Sequence, residues 1–134
     1  LSAQADSVLA AEELLRLQEI VRGVPIADGV VHYAARLIAA TRPPAPGQSS
    51  PKALEPLHKY INYGASPRAS QYVVLGAKAR AILAGRYHVD FADIQAVAIP
   101  VLRHRLVLNF HARADGIDSD VLVERLLKTI PTEG

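Results

Sequence analysis

Cysteine, methionine and tryptophan are all missing from these 134 residues, and aromatics of any kind are scarce. Without cysteine there is no disulfide framework, no thiolate metal site and no thiol nucleophile. No apolar run reaches the ~18 residues that a membrane span needs, so no membrane is expected as a partner. Nor is there a basic-then-apolar leader, which leaves the cytosol as the default compartment. The chain starts at Leu1 and lacks methionine throughout. It is therefore expected to be a processed product or, preferably, a piece cut from a longer polypeptide. What is present is the balance of a globular domain, half apolar and about a fifth charged, with enough length for one sizeable core.

Charge is unevenly spread. From Arg42 to His88 there are seven basic residues against one acid, Glu55, whereas the rest of the chain carries eight basic and twelve acidic residues. A positive middle suits a phosphate or polyanion ligand, and equally a solvated basic face.

Helical periodicity dominates. Ala11 to Arg22 places Leu14, Leu17, Ile20 and Val21 on one side, and Gly23 with Pro25 ends it. Asp28 reads as the N-cap of a second helix, Gly29 to about Thr41, with Val30, Val31, Ala34, Leu37 and Ile38 as its stripe. The proline-rich stretch Pro43–Pro51, within a loop spanning 43–53, cannot hold a helix and reads as exposed and mobile. A short helix is expected from Glu55 to Asn62, broken by Gly64. The longest should run from Pro67 to about Ala84, burying Ala69, Tyr72, Val73, Gly76, Ala79, Ile82 and Leu83. Asp90 should cap a further helix carrying Ile94, Val97, Ala98, Val101 and Leu102, with Pro100 inside it. Residues 106–111 are β-prone and expected to be extended. Asp115-Gly116 makes a turn, and Ser119 should cap a last helix ending near Ile130 before Pro131. The fold class expected is all-α, a five- to six-helix orthogonal bundle with a scrap of strand. It forms one domain over 1–134, in which 1–42 supply two lead-in helices and 54–134 the remainder.

Within this pattern Gly64-Ala65-Ser66-Pro67-Arg68 is the most informative stretch. Ser66 is placed to cap the long helix and Pro67 to occupy its first position, where the N–H it lacks is not needed. Arg68 puts a cation at the positive end of a helix dipole, an unfavourable position unless an anion sits there too. Two readings stand: Arg68 reaches a phosphate, or it is a solvated arginine in an ordinary first turn.

Other constellations are weaker. The five histidines include no i, i+4 pair. His32 with Asp28, His58 with Glu55 and His111 with Asp115 offer two ligands each at most, so no metal site is expected. Glu12-Glu13 suits a first turn, and Asp118 and Asp120 flank a cap. Arg103-His104-Arg105 could touch phosphate or simply follow a helix end. Tyr60, Tyr63, Tyr72 and Tyr87 do not alternate with basic residues as a nucleic-acid stacking surface does, and are expected in core and rim. There is no Gly-x4-Gly-Lys-Ser/Thr loop and no strand ending in paired acids. Alone, this chain should not hold a nucleotide's phosphates and Mg2+, and should not hydrolyse ATP.

Taken together, Gly64-Ala65-Ser66-Pro67-Arg68-Ala69, the Ala-rich helix to Gly85-Arg86, Val89-Asp90-x-x-Asp93-Ile94 and Val101-Leu102-Arg103-His104-Arg105-Leu106 resemble the C-terminal lid of MoxR-type AAA+ ATPases. Glu12-Glu13-Leu14-Leu15-x-Leu17-Gln18, Val24-Pro25-Ile26-Ala27-Asp28 and Ala40-Thr41-Arg42 resemble the segment leading into that lid. The resemblance spans roughly Leu9 to Pro131. It departs at Ala10, where the family pattern has Ser or Thr before the first helix; that helix is then expected to lack its cap and to start earlier, at Ser7.

The resemblance implies that Arg68 is the catalytic "sensor 2" arginine, reaching from the lid to the γ-phosphate of ATP held in the core. It implies that Gly64, Ala65, Ser66, Pro67 and Arg68 form the lid's share of the nucleotide site, with ATP and Mg2+ as cofactors of the intact parent and none bound by the fragment. It further implies as partners the protein's own AAA+ core domain, a homo-hexameric ring, and often a von Willebrand factor A-domain protein, in chaperone-like work on protein complexes. Two other classes are carried beside it: a basic helical nucleic-acid-binding module, less favoured, and a protein–protein adaptor.

Overall fold

A short antiparallel ribbon ties together an otherwise helical chain in the computed structural model, which describes residues 6–132. The elements are α1 (Ala11–Arg22), α2 (Asp28–Ala40), α3 (Glu55–His58), β1 (Ile61–Tyr63), α4 (Arg68–Leu83), α5 (Phe91–Leu102), β2 (Val107–Leu108), α6 (Phe110–Ala114) and α7 (Ser119–Thr129). The all-α bundle expected from the sequence is the observed architecture. Among the described residues there are seven helices, α3 and α6 being about one turn each.

The core lies where α2, α4, α5 and α7 meet. Tyr33, Leu37 and Ile38 of α2, Ile94 and Leu102 of α5, and Leu122, Val123 and Leu126 of α7 are all without meaningful exposure. The Tyr33 and Phe91 rings meet edge to face, 5.6 Å between centroids, a favoured geometry for the aromatic quadrupoles. Helix α4 presents a row of small residues, Ala69, Val73, Ala77 and Ala81, all buried and spaced at i, i+4. Next to that row Gly76 faces α5, where a Cβ would touch Val97 at ordinary van der Waals distance, 3.5 Å. Ile94→Val removes one methylene from the fully enclosed side of α5. It should lower unfolding free energy by about 1 kcal/mol in a urea melt, the usual cost of this deletion in a closed core.

Several local expectations need correction. The helix expected to reach Asn62 stops at His58, and Ile61–Tyr63 form β1 instead, paired with β2 through Ile61–Leu108 and Tyr63–Val107. Cross-strand bonding to a segment some 45 residues away decides this, which local propensity cannot see. Extension at 106–111 ends early, because Asn109 turns its Oδ1 onto the Ala112 N–H (3.1 Å) and starts α6. Asp118, not Ser119, caps α7, its carboxylate accepting from the Val121 N–H at 2.9 Å. Asp28 lies inside the first turn of α2 rather than before it, since the Ala27 carbonyl already accepts from Val30 and Val31. Helix α1 begins at Ala11, not Ser7. Ala10 has no side-chain acceptor, but Glu13 reaches back to accept from its N–H at 2.8 Å, which supplies half of a capping box.

Burial differs from expectation in two helices. No residue of α1 is buried; Leu14, Leu15, Leu17 and Ile20 are about half exposed, because among the described elements α1 packs chiefly on α4. On α4, Tyr72 and Leu83 are exposed while Ala77 and Ala81 go inside. Apolar residues surround this helix, since it is packed by α1, α2 and α5 on different sides, and no single stripe marks its buried row. Of the tyrosines expected in core and rim, Tyr60 is buried and Tyr63 and Tyr87 are exposed.

Candidate functional site

The turn from Gly64 to Arg68 connects β1 to α4 and lies against the end of α2. Thr41, just past α2, is completely buried; its Oγ1 donates to the Ile38 carbonyl (2.7 Å) and accepts from the Ala65 N–H (2.9 Å). Gly64 is obligatory here for a steric reason: a Cβ at that position would collide with the Thr41 carbonyl, a backbone group that cannot step aside. Asn109 holds the other flank, its N–H donating to the Tyr60 carbonyl and its Nδ2 to the Lys59 carbonyl at 2.7 Å.

Pro67 already has helical angles, φ −54° and ψ −30°. In consequence the Ser66 carbonyl, not its hydroxyl, accepts from the Ala69 N–H (2.9 Å), so the side-chain cap expected of Ser66 is not made. Pro67 is the residue before the helix, and its carbonyl takes both the N–H and the hydroxyl of Ser70. The five residues thus divide. Gly64 and Ala65 face Thr41, with Ala65 fully buried and its N–H consumed. Ser66, Pro67 and Arg68 are exposed. Among the described residues the backbone N–H groups of Ser66 and Arg68 find no acceptor, and the Arg68 guanidinium forms neither ion pair nor hydrogen bond.

That freedom sets Arg68 apart from its neighbours on α4. Lys78 donates to the Arg22 carbonyl at 2.9 Å, finishing α1, and Arg80 lies 3.4 Å from Asp93. Arg86, just beyond α4, forks onto Asp93 with bonds of 2.6 and 2.8 Å. Asp93 is only 1 % exposed, and its Oδ2 also accepts from the Asp90 N–H at 2.9 Å. The Arg86 hydrogen bonds hold this carboxyl below the usual carboxylate range against the opposing effect of burial. Arg86 is thus tied into the fold. Sequence reasoning gave Asp93 no structural role, although an acid three residues after Asp90 has capping-box spacing.

The basic triplet is similarly engaged. Arg103 pairs with both oxygens of Asp120 at 2.8 and 2.6 Å, and that pairing raises the arginine pKa and lowers the aspartate one. Arg105 donates to the Val101 carbonyl at 2.6 Å and lies over the Tyr72 ring. Both arginines of the triplet are thus turned onto the chain itself. His58 bridges the Ala40 carbonyl (2.9 Å) and the Ser50 hydroxyl (2.8 Å), so the proline-rich loop expected to be mobile is anchored at its far end. Its Nε2 carries the hydrogen in this arrangement, since a carbonyl only accepts. Asp115 accepts from the Tyr60 hydroxyl at 2.8 Å. Among the described residues no three His, Asp or Glu side chains come together around a metal-sized space, and no helix is long and apolar enough to cross a membrane.

The fold and the turn define an all-helical module that displays one unpaired arginine at the head of its central helix. Residues 55–126 match the family of the AAA lid domain. Chaperone MoxR1 of Mycobacterium tuberculosis is 36 % identical over 127 residues, 95 % of this chain and 32 % of that protein. Protein MoxR of Paracoccus denitrificans is 34 % identical over 113 residues, 81 % of this chain and 32 % of its own length. A solved structure of a candidate ATPase from Cytophaga hutchinsonii superposes with a TM-score of 0.78 at 32 % identity, covering 90 % of this chain and 35 % of that one. The chain belongs to the AAA lid domain family and resembles the lid of MoxR-like AAA+ ATPases. It spans about a third of the length of these relatives.

Proposed function

We propose that this lid acts on a nucleotide held by an AAA+ core domain, and that Arg68 is its sensor 2 residue. One observation carries the reading. Of the three basic side chains on α4, Arg68 alone has no partner among the described residues, and it stands beside free N–H groups at the helix head. A guanidinium and backbone donors converging on one point suit a single phosphoryl group. Arg42 lies against Gly64 beside the turn, but the turn itself holds no carboxylate for Mg2+, so the metal belongs to the core.

When ATP is bound, it brings the phosphoryl group to be transferred. The contribution of this chain is to place positive charge where negative charge develops, and to exclude water as the lid closes. As a bundle that rotates on the core, the lid can report nucleotide state by its angle. The parent is then a ring ATPase, hexameric as the AAA+ family resemblance implies, with chaperone-like work by analogy with Chaperone MoxR1, and a von Willebrand factor A-domain protein is a candidate partner. The test is ATP turnover by the full-length protein carrying Arg68→Ala. A loss with the fold intact supports the assignment; wild-type turnover overturns it.

A further inference from the structure

The end of α2 is hydrogen-bonded to the turn before Arg68 as well as packed against it. Thr41 is a helix-terminal threonine whose hydroxyl could be satisfied by its bond back to the Ile38 carbonyl alone. It accepts a second bond from the Ala65 N–H, three residues before Arg68. Gly64 presses on the Thr41 carbonyl from the same side. One residue earlier, the Ala40 carbonyl accepts from His58, whose other ring nitrogen meets Ser50. The last turn of α2 is therefore held from two directions, by the sensor turn and by the close of the proline-rich loop.

Arg68 has no partner among the described residues, so what the fold fixes is the backbone position from which its side chain starts. We infer that Thr41 is a positioning residue for Arg68: its hydroxyl locks the Gly64–Pro67 backbone and so fixes where the guanidinium meets a phosphoryl group. The inference rests on the reading of Arg68 given above. Its physical content is pre-organisation. A fixed backbone leaves only the side chain's own rotamers to be ordered at the target, and a displacement of the order of 1 Å costs heavily in rate.

Thr41→Val keeps the shape of the side chain, deletes the hydroxyl and leaves the buried Ala65 N–H without an acceptor. In the full-length protein, kcat for ATP should fall about tenfold, with Thr41→Ser remaining near wild type because it retains the oxygen. Because Thr41 acts through Arg68, Thr41→Val should add nothing in an Arg68→Ala background. An equal loss with and without Arg68 marks a general structural effect and overturns the inference. Wild-type turnover in Thr41→Val, with turnover lost in Arg68→Ala, also overturns it; wild-type turnover in Arg68→Ala instead removes the reading beneath it. One measurement needs no variant. In the wild-type protein the Ala65 amide should exchange with deuterium more slowly than the Arg68 amide, and equal rates overturn the lock.

Discussion

Replacing Arg68 with alanine in the full-length protein should, on the sensor 2 reading proposed above, lower ATP turnover about a hundredfold, the loss typical of removing one pre-organised donor from a developing oxyanion. The thermal midpoint of the lid should not fall. The side chain is exposed and makes no hydrogen bond or ion pair among the described residues, so the folded bundle does not depend on it. It even sits unfavourably at the positive end of a helix, so its removal relieves the native state slightly when no nucleotide is bound. Arg68→Lys keeps the charge but loses the planar fork, and should recover only part of the rate. Steady-state turnover with circular dichroism on the same samples separates the two effects. A loss of turnover that tracks unfolding would move Arg68 from chemistry to structure.

The largest stability effect should come from Asp93→Ala. The buried carboxylate joins the end of α4 to the start of α5 through Arg86 and caps the Asp90 N–H. Removing one partner of a fully enclosed ion pair costs several kcal/mol because the other is stranded. Here Arg86 is part-exposed and can turn to water, which discounts that penalty. What remains is a lost cap, an unpaired N–H and a small void, about 2–3 kcal/mol together. For a domain of this size that lowers the melting temperature by about 10 °C. The same group sets a pH response. Its carboxyl titrates lower when folded than when unfolded, so on acidification the unfolded chain takes up the proton first. The Asp93 contribution is complete above about pH 4, the ordinary carboxylate range, and is lost as pH falls through the depressed native value. In Asp93→Asn that part of the acid destabilisation should vanish, as urea melts between neutral and acid pH would reveal; an unaltered acid profile would assign it to other carboxylates.

How much of this was open to a reader of the residues varies with the range of the interaction. Ile94, Ala98 and Leu102 announce the buried side of α5 by spacing alone, and they are buried. Arg68 is legible because proline, serine and the change of pattern at Gly64 mark a helix start from local rules. Thr41 is not legible. A threonine before Arg42-Pro43-Pro44 reads only as the end of a helix, and nothing nearby says that its hydroxyl will meet Ala65, 24 positions on. The stripe of α1 is real as a pattern, but how much of it is covered depends on which neighbours arrive, and only α4 does to any extent.

The order of residues by itself settled where most helices lie, that the chain is all-α, and which cation stands at the head of α4, because each follows from contacts within a turn or two. Only the tertiary structure decided that Ile61–Tyr63 become a strand, that Asp93 is locked by Arg86, and that Gly64 and Thr41 are pressed together. Those depend on groups brought from distant positions, whose pairing energy is defined only once the bundle has closed around them.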